Sequence, residues 1–592
     1  MPACDRSSVA AAAPPPPITH HSIAMTRLHS LLLAGAALAL TGPLGAQQRL
    51  TVFQPFSTST TYLVDDAGTI VNTWPGIATP GVNVDLLPNG DLVRALNLTN
   101  RIAGSGGGFE RLSYDGTLEW QFRFFTPKLT PHHDFVVLPN GNVILTVYEE
   151  FSVAEAIALG RDPALLGPEP FLPDALYEIT QTGPTTGDVV WEWHAVDHVI
   201  QDRDPLAANY GVLADNPQLA DIDAGYFTDW MHVNGIDYNA ELDQIAISVP
   251  TFNEVWVIDH STTTVEAAGH TGGNSGKGGD ILYRWGNPQV YGRGTAADQV
   301  FYFLHDVQWV ADGLPGAGNL MVFNNGNARP TGSWSSADEF TPPTPDANGN
   351  YPLPPSAAYG PAGLSWTYAD QANFYSNIMG GVQRLENGNT RICESTSGLV
   401  FEVDTFGNRL WGYTNTIGTP NWLFKTRSYL DCNANGIYDR EEIVNGGGDF
   451  DGNDVLDACE PPISYCSAAL NSSGQAAAMN WTGSTNISLN DFVLYADFCP
   501  ANAFGVFAVS SGQANVPFGD GTLCIAAPVT RLGAAGTNAI GSATISVDNY
   551  ALTPGPATIT PGSVRYFTYF FRDAAGGPAG FNLSNGLAVV FL

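Results

Sequence analysis

Positive charge is scarce in this 592-residue chain: 23 Lys and Arg stand against 57 Asp and Glu, a formal net charge of −34. So acidic a protein repels nucleic acid and anionic lipid, which excludes both as expected partners. Charge of either sign is low, at 14% of residues. The apolar share, 44%, is too high for a disordered chain. Beyond residue 46 no stretch approaches the ~20 apolar residues of a membrane span, so no transmembrane segment is expected. No pair of cysteines has C-x-x-C spacing, which argues against a thiolate zinc site. Abundant residues point elsewhere. The 64 Gly and 41 Pro, with many Thr, Asn, Val and Trp, favour strands and turns over helices. The length predicts two or three domains.

Met25 to His29 is a short basic start, Leu31 to Leu40 an apolar run, and Leu44-Gly45-Ala46 ends in a small residue. This is the pattern of a secretory signal over 25–46, with Met25 as the expected start and 1–24 as a gene-model extension. A secreted or periplasmic protein is expected. With Cys4 removed, six cysteines remain, five of them beyond residue 430, and an even count in an exported chain suggests disulfides.

Residues 47–430 are repetitive. An apolar strand, a polar turn, a second strand and a Trp recur with Trp74, Trp120, Trp191, Trp285, Trp366 and Trp411. A strand–Asn-Gly–strand unit precedes most copies, as at Asn89-Gly90, Asn140-Gly141 and Asn387-Gly388. Each repeat reads as a four-stranded antiparallel unit. Residues 50–76, joined to a last strand near Trp422–Tyr429, complete a sixth. The expected fold class is all-β: a six-bladed β-propeller, a small calcium-loop linker over 431–460 and a β-sandwich-like module over 461–592.

Seven residues before the turn residues Asn140, Asn239 and Asp312 stand His133, His232 and His305. Two other copies carry Val82 and Gly380 there, so the fold does not demand histidine. Equivalent first-strand positions of neighbouring blades converge on the central channel. Three converging imidazoles suit nucleophilic or acid–base chemistry, anion binding, or a catalytic metal. Register alone leaves these open, together with a non-catalytic ligand-binding propeller. Strand alternation predicts that His132, Asp134 and Asp306 point away from the channel.

Pro131-His132-His133-Asp134-Phe135 through Asn142, Met231-His232-Val233-Asn234-Gly235 and Leu304-His305-Asp306-Val307-Gln308-Trp309 resemble the arylsulfate sulfotransferase family. So do Tyr283-Arg284-Trp285-Gly286-Asn287-Pro288 and Phe323-Asn324-Asn325-Gly326-Asn327-Ala328-Arg329. The resemblance implies an exported propeller enzyme that moves a sulfuryl group from a small aromatic sulfate donor to a phenol acceptor, without a nucleotide sulfate donor. It implies His305 as the transiently sulfated nucleophile, with His133 and His232 in support. His132, Arg329 and Arg284 are candidate substrate-binding residues. Pro250 stands where the family carries an arginine.

A second chemistry follows the repeats. Asp431, Asn433, Asn435, Ile437, Asp439 and Glu442 have the spacing of a twelve-residue calcium loop, with Gly436 at its sharp turn. Asp449, Asp451, Asn453, Val455, Asp457 and Glu460 repeat it, with Asp454 at the turn. The pair resembles the linker-type, dockerin-like EF-hand repeats of exported proteins, and bound Ca2+ is expected. Cys432 and Cys459 sit one at each end, placed for a bridge. The last module, through Val516-Pro517-Phe518-Gly519, Leu523-Cys524, Phe571-Arg572-Asp573 and Phe581-Asn582-Leu583, resembles a C-terminal accessory module of exported bacterial proteins.

Overall fold

The computed structural model describes residues 48–592 apart from 100–103, 105, 226, 227, 433, 434, 446–455, 457–461, 486, 551–557, 561, 562 and 592. The expected export signal and its extension lie outside the described residues.

The repeats form six four-stranded antiparallel sheets. The second to fifth begin with Pro80–Leu86, Leu129–Val137, Gly235–Asn239 and Leu304–Trp309, and the sixth with Gly381–Arg384. The first is built from both ends of this region: Arg427–Asp431 pairs with Gln48–Phe53, and Leu50 lies opposite Tyr429.

The recurrent tryptophan has a physical task. Each sits on the outermost strand of its sheet, and its indole N–H donates to the next sheet in the chain. Trp74 reaches the Ser113 carbonyl at 3.1 Å and Trp120 that of Thr186 at 3.2 Å. Trp191 reaches Thr262 Oγ1 at 3.1 Å, and Trp285 the Pro361 carbonyl at 2.9 Å. Trp366 reaches the Thr405 carbonyl at 3.0 Å, and Trp411, on the sixth sheet, that of Asp66 on the first at 2.8 Å. A large apolar ring with one donor fits such a seam, because the ring packs while its N–H stays satisfied. Near the centre a second set of bonds crosses from sheet to sheet. Asn83 donates to Phe135 O, Ile236 N to Asp134, Trp309 N to Asp237, Val382 N to Asp306, and Gln383 to Ser428 O. The chain is a β-propeller, and no helix among the described residues is long and apolar enough to cross a membrane.

The 430/431 boundary cuts a strand. Asp431, the first calcium-loop residue, is also the last residue of the closing strand, and it is fully buried. Tyr438 packs on Tyr429 with centroids 4.9 Å apart, and Tyr114 of the second sheet donates to the Gly436 carbonyl at 2.8 Å.

Beyond residue 461, a six-stranded sheet and a three-stranded sheet share one core containing Phe492, Phe507, Phe567, Tyr569 and Phe591. Cys466 and Cys524 are bridged, and Cys432 is disulfide-bonded, while Cys459 lies outside the described residues. The even cysteine count does not mean full pairing. Cys393 and Cys499 are buried free thiols, and burial pushes each up to about 12.

Candidate active site in the propeller channel

The inner strands break where the histidines stand. In the third sheet Pro131 pairs with Val147 and Phe135 with Leu145, so the partner strand skips the intervening turn of chain. His133 and His232 adopt left-handed backbone angles, φ 49° and 56°, as do Val82 at 95° and Asp306 at 53°. Side chains rarely tolerate this region; the cost is about 1–3 kcal/mol each. The break defeats simple alternation, and the expectation for Asp134 and Asp306 fails on it. Lys425 Nζ lies 2.7 Å from Asp134 Oδ2 and 3.2 Å from Asp306 Oδ1, joining the third and fifth sheets through the closing segment. Arg427 adds two bonds to Asp306, at 2.7 and 3.0 Å. Burial alone would raise Asp306, but Arg427 and Lys425 outweigh it and hold the carboxyl at about 2.

His133 and His232 meet directly, ring centroids 4.5 Å apart. His305 joins them through shared aromatic neighbours. Phe303 lies 6.1 Å from His232 and 5.7 Å from His305, and Phe424 lies 5.9 Å from His133 and 6.2 Å from His305. Phe424 also belongs to an apolar cluster with Val82, Met379 and Phe56. The imidazole side of the site therefore abuts an apolar side at Phe424.

Each histidine has a different electrostatic setting. Asn325 donates both amide hydrogens, to Ser376 O and Met379 O at 2.8 Å each. Its Oδ1 must then accept from His305 Nδ1, at 2.7 Å. The proton sits on Nδ1, and the Nε2 lone pair accepts a 3.3 Å hydrogen bond from Met379 N–H, which an incoming sulfur must displace. Burial pushes His305 down to about 3, against the smaller opposing effect of Asn325. His232 differs. Burial would lower it, but a 2.6 Å bond to Asp229 outweighs that and raises it above the ordinary value. Tyr148 Oη lies 3.1 Å from the same Nδ1. His133 is lowered by burial and by the neighbouring imidazoles. Its Nδ1 lies 2.8 Å from His132 Nδ1. His132 is stacked on Tyr148 at 3.5 Å, and its Nε2 lies 2.7 Å from Asp174, whose carboxyl burial raises well above the carboxylate range. Asp174, His132 and His133 thus stand in a row, but His132 Nε2 makes no hydrogen bond to Asp174, so the row is not a continuous proton path.

The arginine candidates separate from this cluster. Arg284 is fully buried on the outer strand of the fourth sheet, bonded to Glu254 and stacked 4.6 Å from Tyr291. Arg329 lies over Trp334 at 3.7 Å and Tyr302 at 5.3 Å, and donates to Ser336. The structure brings neither against the imidazoles. Lys425, Arg427, Asp229, Asp174, Tyr148, Asn325 and Phe424 did not emerge from the sequence. One signal was present for Lys425: the chain has only three lysines, and this one sits in the segment that closes the ring. A cavity of about 910 Å³ borders Lys425 and Arg427, but no histidine of the cluster lines it. Its walls carry Asp85, Asp237, Glu241, Asp312, Asp346 and Glu386, which would repel an anionic ester.

At the calcium loop, Asp431 accepts from Asn435 N at 3.0 Å and Gly436 N at 2.9 Å, and Asn435 Oδ1 accepts from Ile437 N at 2.8 Å. The helix Asp439–Val444 brings Glu442 to 2.8 Å from the Asn435 amide. Burial and the charges of Asp431 and Glu442 push the Asp439 carboxyl up to about 7. An all-oxygen donor set with mutually repelling carboxylates fits Ca2+. Asn433, Asp449, Asp451, Asn453, Val455, Asp457 and Glu460 lie outside the described residues.

No curated protein sequence matches the chain. Among solved structures it is similar to a protein of unknown function from Bacteroides caccae, at 11% identity over 65% of this chain and 99% of that one, TM-score 0.37. It is similar to virginiamycin B lyase from Staphylococcus aureus, at 13% identity over 62% and 80%, TM-score 0.27. A third is the Cps50 (Swd1) β-propeller domain of Myceliophteria thermophila, at 10% identity over 62% and 86%, TM-score 0.30. The family model described as Arylsulfotransferase (ASST) matches residues 45–419, more than half of the sequence. The chain belongs to the arylsulfotransferase family.

Proposed function

We propose that this protein is an arylsulfate sulfotransferase that works through a sulfated His305. The observation that carries the reading is the polarity of the site: imidazoles meet an apolar wall at Phe424, matching an ester with an anionic sulfate and an aromatic ring. His305 Nε2 attacks sulfur, forming an N–S bond, and the aryl S–O bond breaks. His232, as imidazolium, gives its proton to the leaving phenoxide. In the second half a phenol acceptor returns that proton to His232, and its oxygen attacks sulfur. The N–S bond breaks and neutral His305 is restored. His133 donates to the sulfuryl oxygens where charge sits in the transition state. With Pro250 at the family's arginine position, His232 is the cation this site supplies.

In this reading the reaction takes place outside the cytoplasm, supported by the signal pattern at 25–46 and the Cys466–Cys524 bridge. Ca2+ at 431–442 is structural in this reading and takes no part in the transfer. The test is incubation with a chromogenic aryl sulfate and a phenol, with mass spectrometry of the protein. Phenol release with a sulfuryl adduct on the His305 peptide is expected. Turnover without an adduct favours a metal-dependent hydrolase, and no turnover favours a ligand-binding propeller.

A further inference from the structure

Away from the channel, where the third sheet meets the fourth, three side chains of metal-ligating type converge. His198 ends the helical turn Ala195–His198 that follows the third sheet's outer strand. Asp280 directly precedes Ile281–Trp285, the outer strand of the fourth sheet, and His270 lies in the loop leading to it. Asp280 Oδ1 is 2.9 Å from His198 Nδ1 and 2.7 Å from His270 Nδ1. One ligand atom from each residue lies within 4.8 Å of the others.

The hydrogen bonding leaves ring nitrogens and a carboxylate oxygen facing one another. His198 Nε2 lies 2.8 Å from the Ala267 carbonyl, which can only accept, so Nε2 carries the proton. In the neutral tautomer Nδ1 is then a bare lone pair aimed at a carboxylate oxygen. The same oxygen faces His270. Such a triad is satisfied by extra protons or by a metal ion between the three. His198 is held by parallel stacking on Trp193, at 2° between planes, and Trp193 in turn donates to Gly279 O at 2.7 Å. The side chains of His198 and Asp280 are 1% and 7% exposed, and that of His270 is 60% exposed. Two ligands are fixed, and the third sits at the surface, where an ion can enter.

We propose that His198, His270 and Asp280 form a binding site for a divalent metal of the zinc class, with solvent completing the coordination. Two imidazoles and one carboxylate with an open position are a zinc-type donor set, and the Ala267 carbonyl is the outer partner that orients His198. Around an ion with bonds of about 2.0–2.1 Å the ligand atoms stand somewhat farther apart than here. His270, on its surface loop, supplies that movement. The site pins the loop before Asp280 to the rim of the third sheet. It is independent of the transfer chemistry and of the oxygen-only calcium loop.

The whole protein, stripped with chelator and refilled with excess Ca2+, is titrated with Zn2+ by calorimetry. One zinc per chain is expected at this site. His270→Ala and Asp280→Asn should each weaken it by about a hundredfold or more, since loss of an outer partner alone costs 10–100-fold. His270 is exposed, so its replacement leaves the fold intact, checked by circular dichroism. His305→Asn should leave zinc affinity unchanged. No zinc uptake, or uptake unaffected by His270→Ala, overturns the proposal. Uptake lost in His305→Asn moves the metal to the channel and overturns it equally.

Discussion

In the proposed transfer, the opposite shifts of His305 and His232 should set the pH profile of the first half-reaction. His305 must be neutral to attack, and burial holds it at about 3. His232 must be protonated to serve the leaving phenoxide, and Asp229 raises it above 6.5. Activity should form a plateau between these limits. At pH 5 an ordinary imidazole is about 97% protonated, and one titrating at 3 about 1%. From pH 6 to 5 an ordinary nucleophile would lose about eightfold in rate; here kcat/KM should change less than about twofold. The assay is burst release of phenol without acceptor, quenched and read at one alkaline pH. Stability moves in a known direction. The unfolded state binds the extra proton between pH 6.5 and about 3, so this histidine's contribution is full above 6.5 and is lost as pH falls towards 3. At pH 5 the loss is about 2 kcal/mol, and tryptophan fluorescence must show the fold intact there. Asp229→Asn removes the effect that raises His232 and leaves burial, so the alkaline limb should fall below 6.5 while the acid limb stays. An acid limb near 6.5 in the wild type, or an unmoved alkaline limb in Asp229→Asn, refutes the assignment.

Four further outcomes are expected. His305→Ala should abolish both the burst and the sulfuryl adduct; retained turnover would remove the nucleophile assignment. His133→Ala and His232→Ala should each slow the burst by about 10²–10⁴, the span of acid–base assistance, and unchanged rates would exclude them from the chemistry. Lys425→Met leaves Asp134 and Asp306 buried without their shared cation, and urea unfolding should show a loss of about 3–5 kcal/mol. Calcium at about a hundredfold over its Kd should stabilise the propeller by about 2.7 kcal/mol, because Asp431, the first position of the candidate calcium loop, is also a strand residue. Calorimetry in which chelation loosens only the segment beyond 431 would show instead that the two are uncoupled.

Much of the fold was legible because its signals are local and repeated. The six tryptophans mark outer strands, and the turn residues Asn140, Asn239 and Asp312 fix the register that places His133, His232 and His305 at one strand position. What stayed hidden depends on backbone angle and on distant chain. Alternation holds only while a strand is regular, and the left-handed residues at His133 and Asp306 turn the flanking carboxylates to the centre. Asp174, 42 residues beyond His132, and Asn325, 20 beyond His305, become partners only through sheet pairing. The partners of Arg284 were hidden for a similar reason. Arg284 lies in a matching motif, but on an outer strand, where Glu254 and two aromatic rings claim it.

The closing segment explains how a site with so few cations is held together. In eight residues it supplies Phe424 to the apolar wall, Lys425 and Arg427 to the two carboxylates beside His133 and His305, Tyr429 to Asp85, and Asp431 to the calcium loop. Two buried carboxylates facing one channel would repel each other and favour cationic histidines. Pairing them with Lys425 and Arg427 offsets that field locally, while burial lowers His305 and the bond to Asp229 raises His232. The opposite shifts of His305 and His232 therefore depend on which carboxylates are paired with cations, and the strand that pairs Asp134 and Asp306 is the one that completes the first sheet.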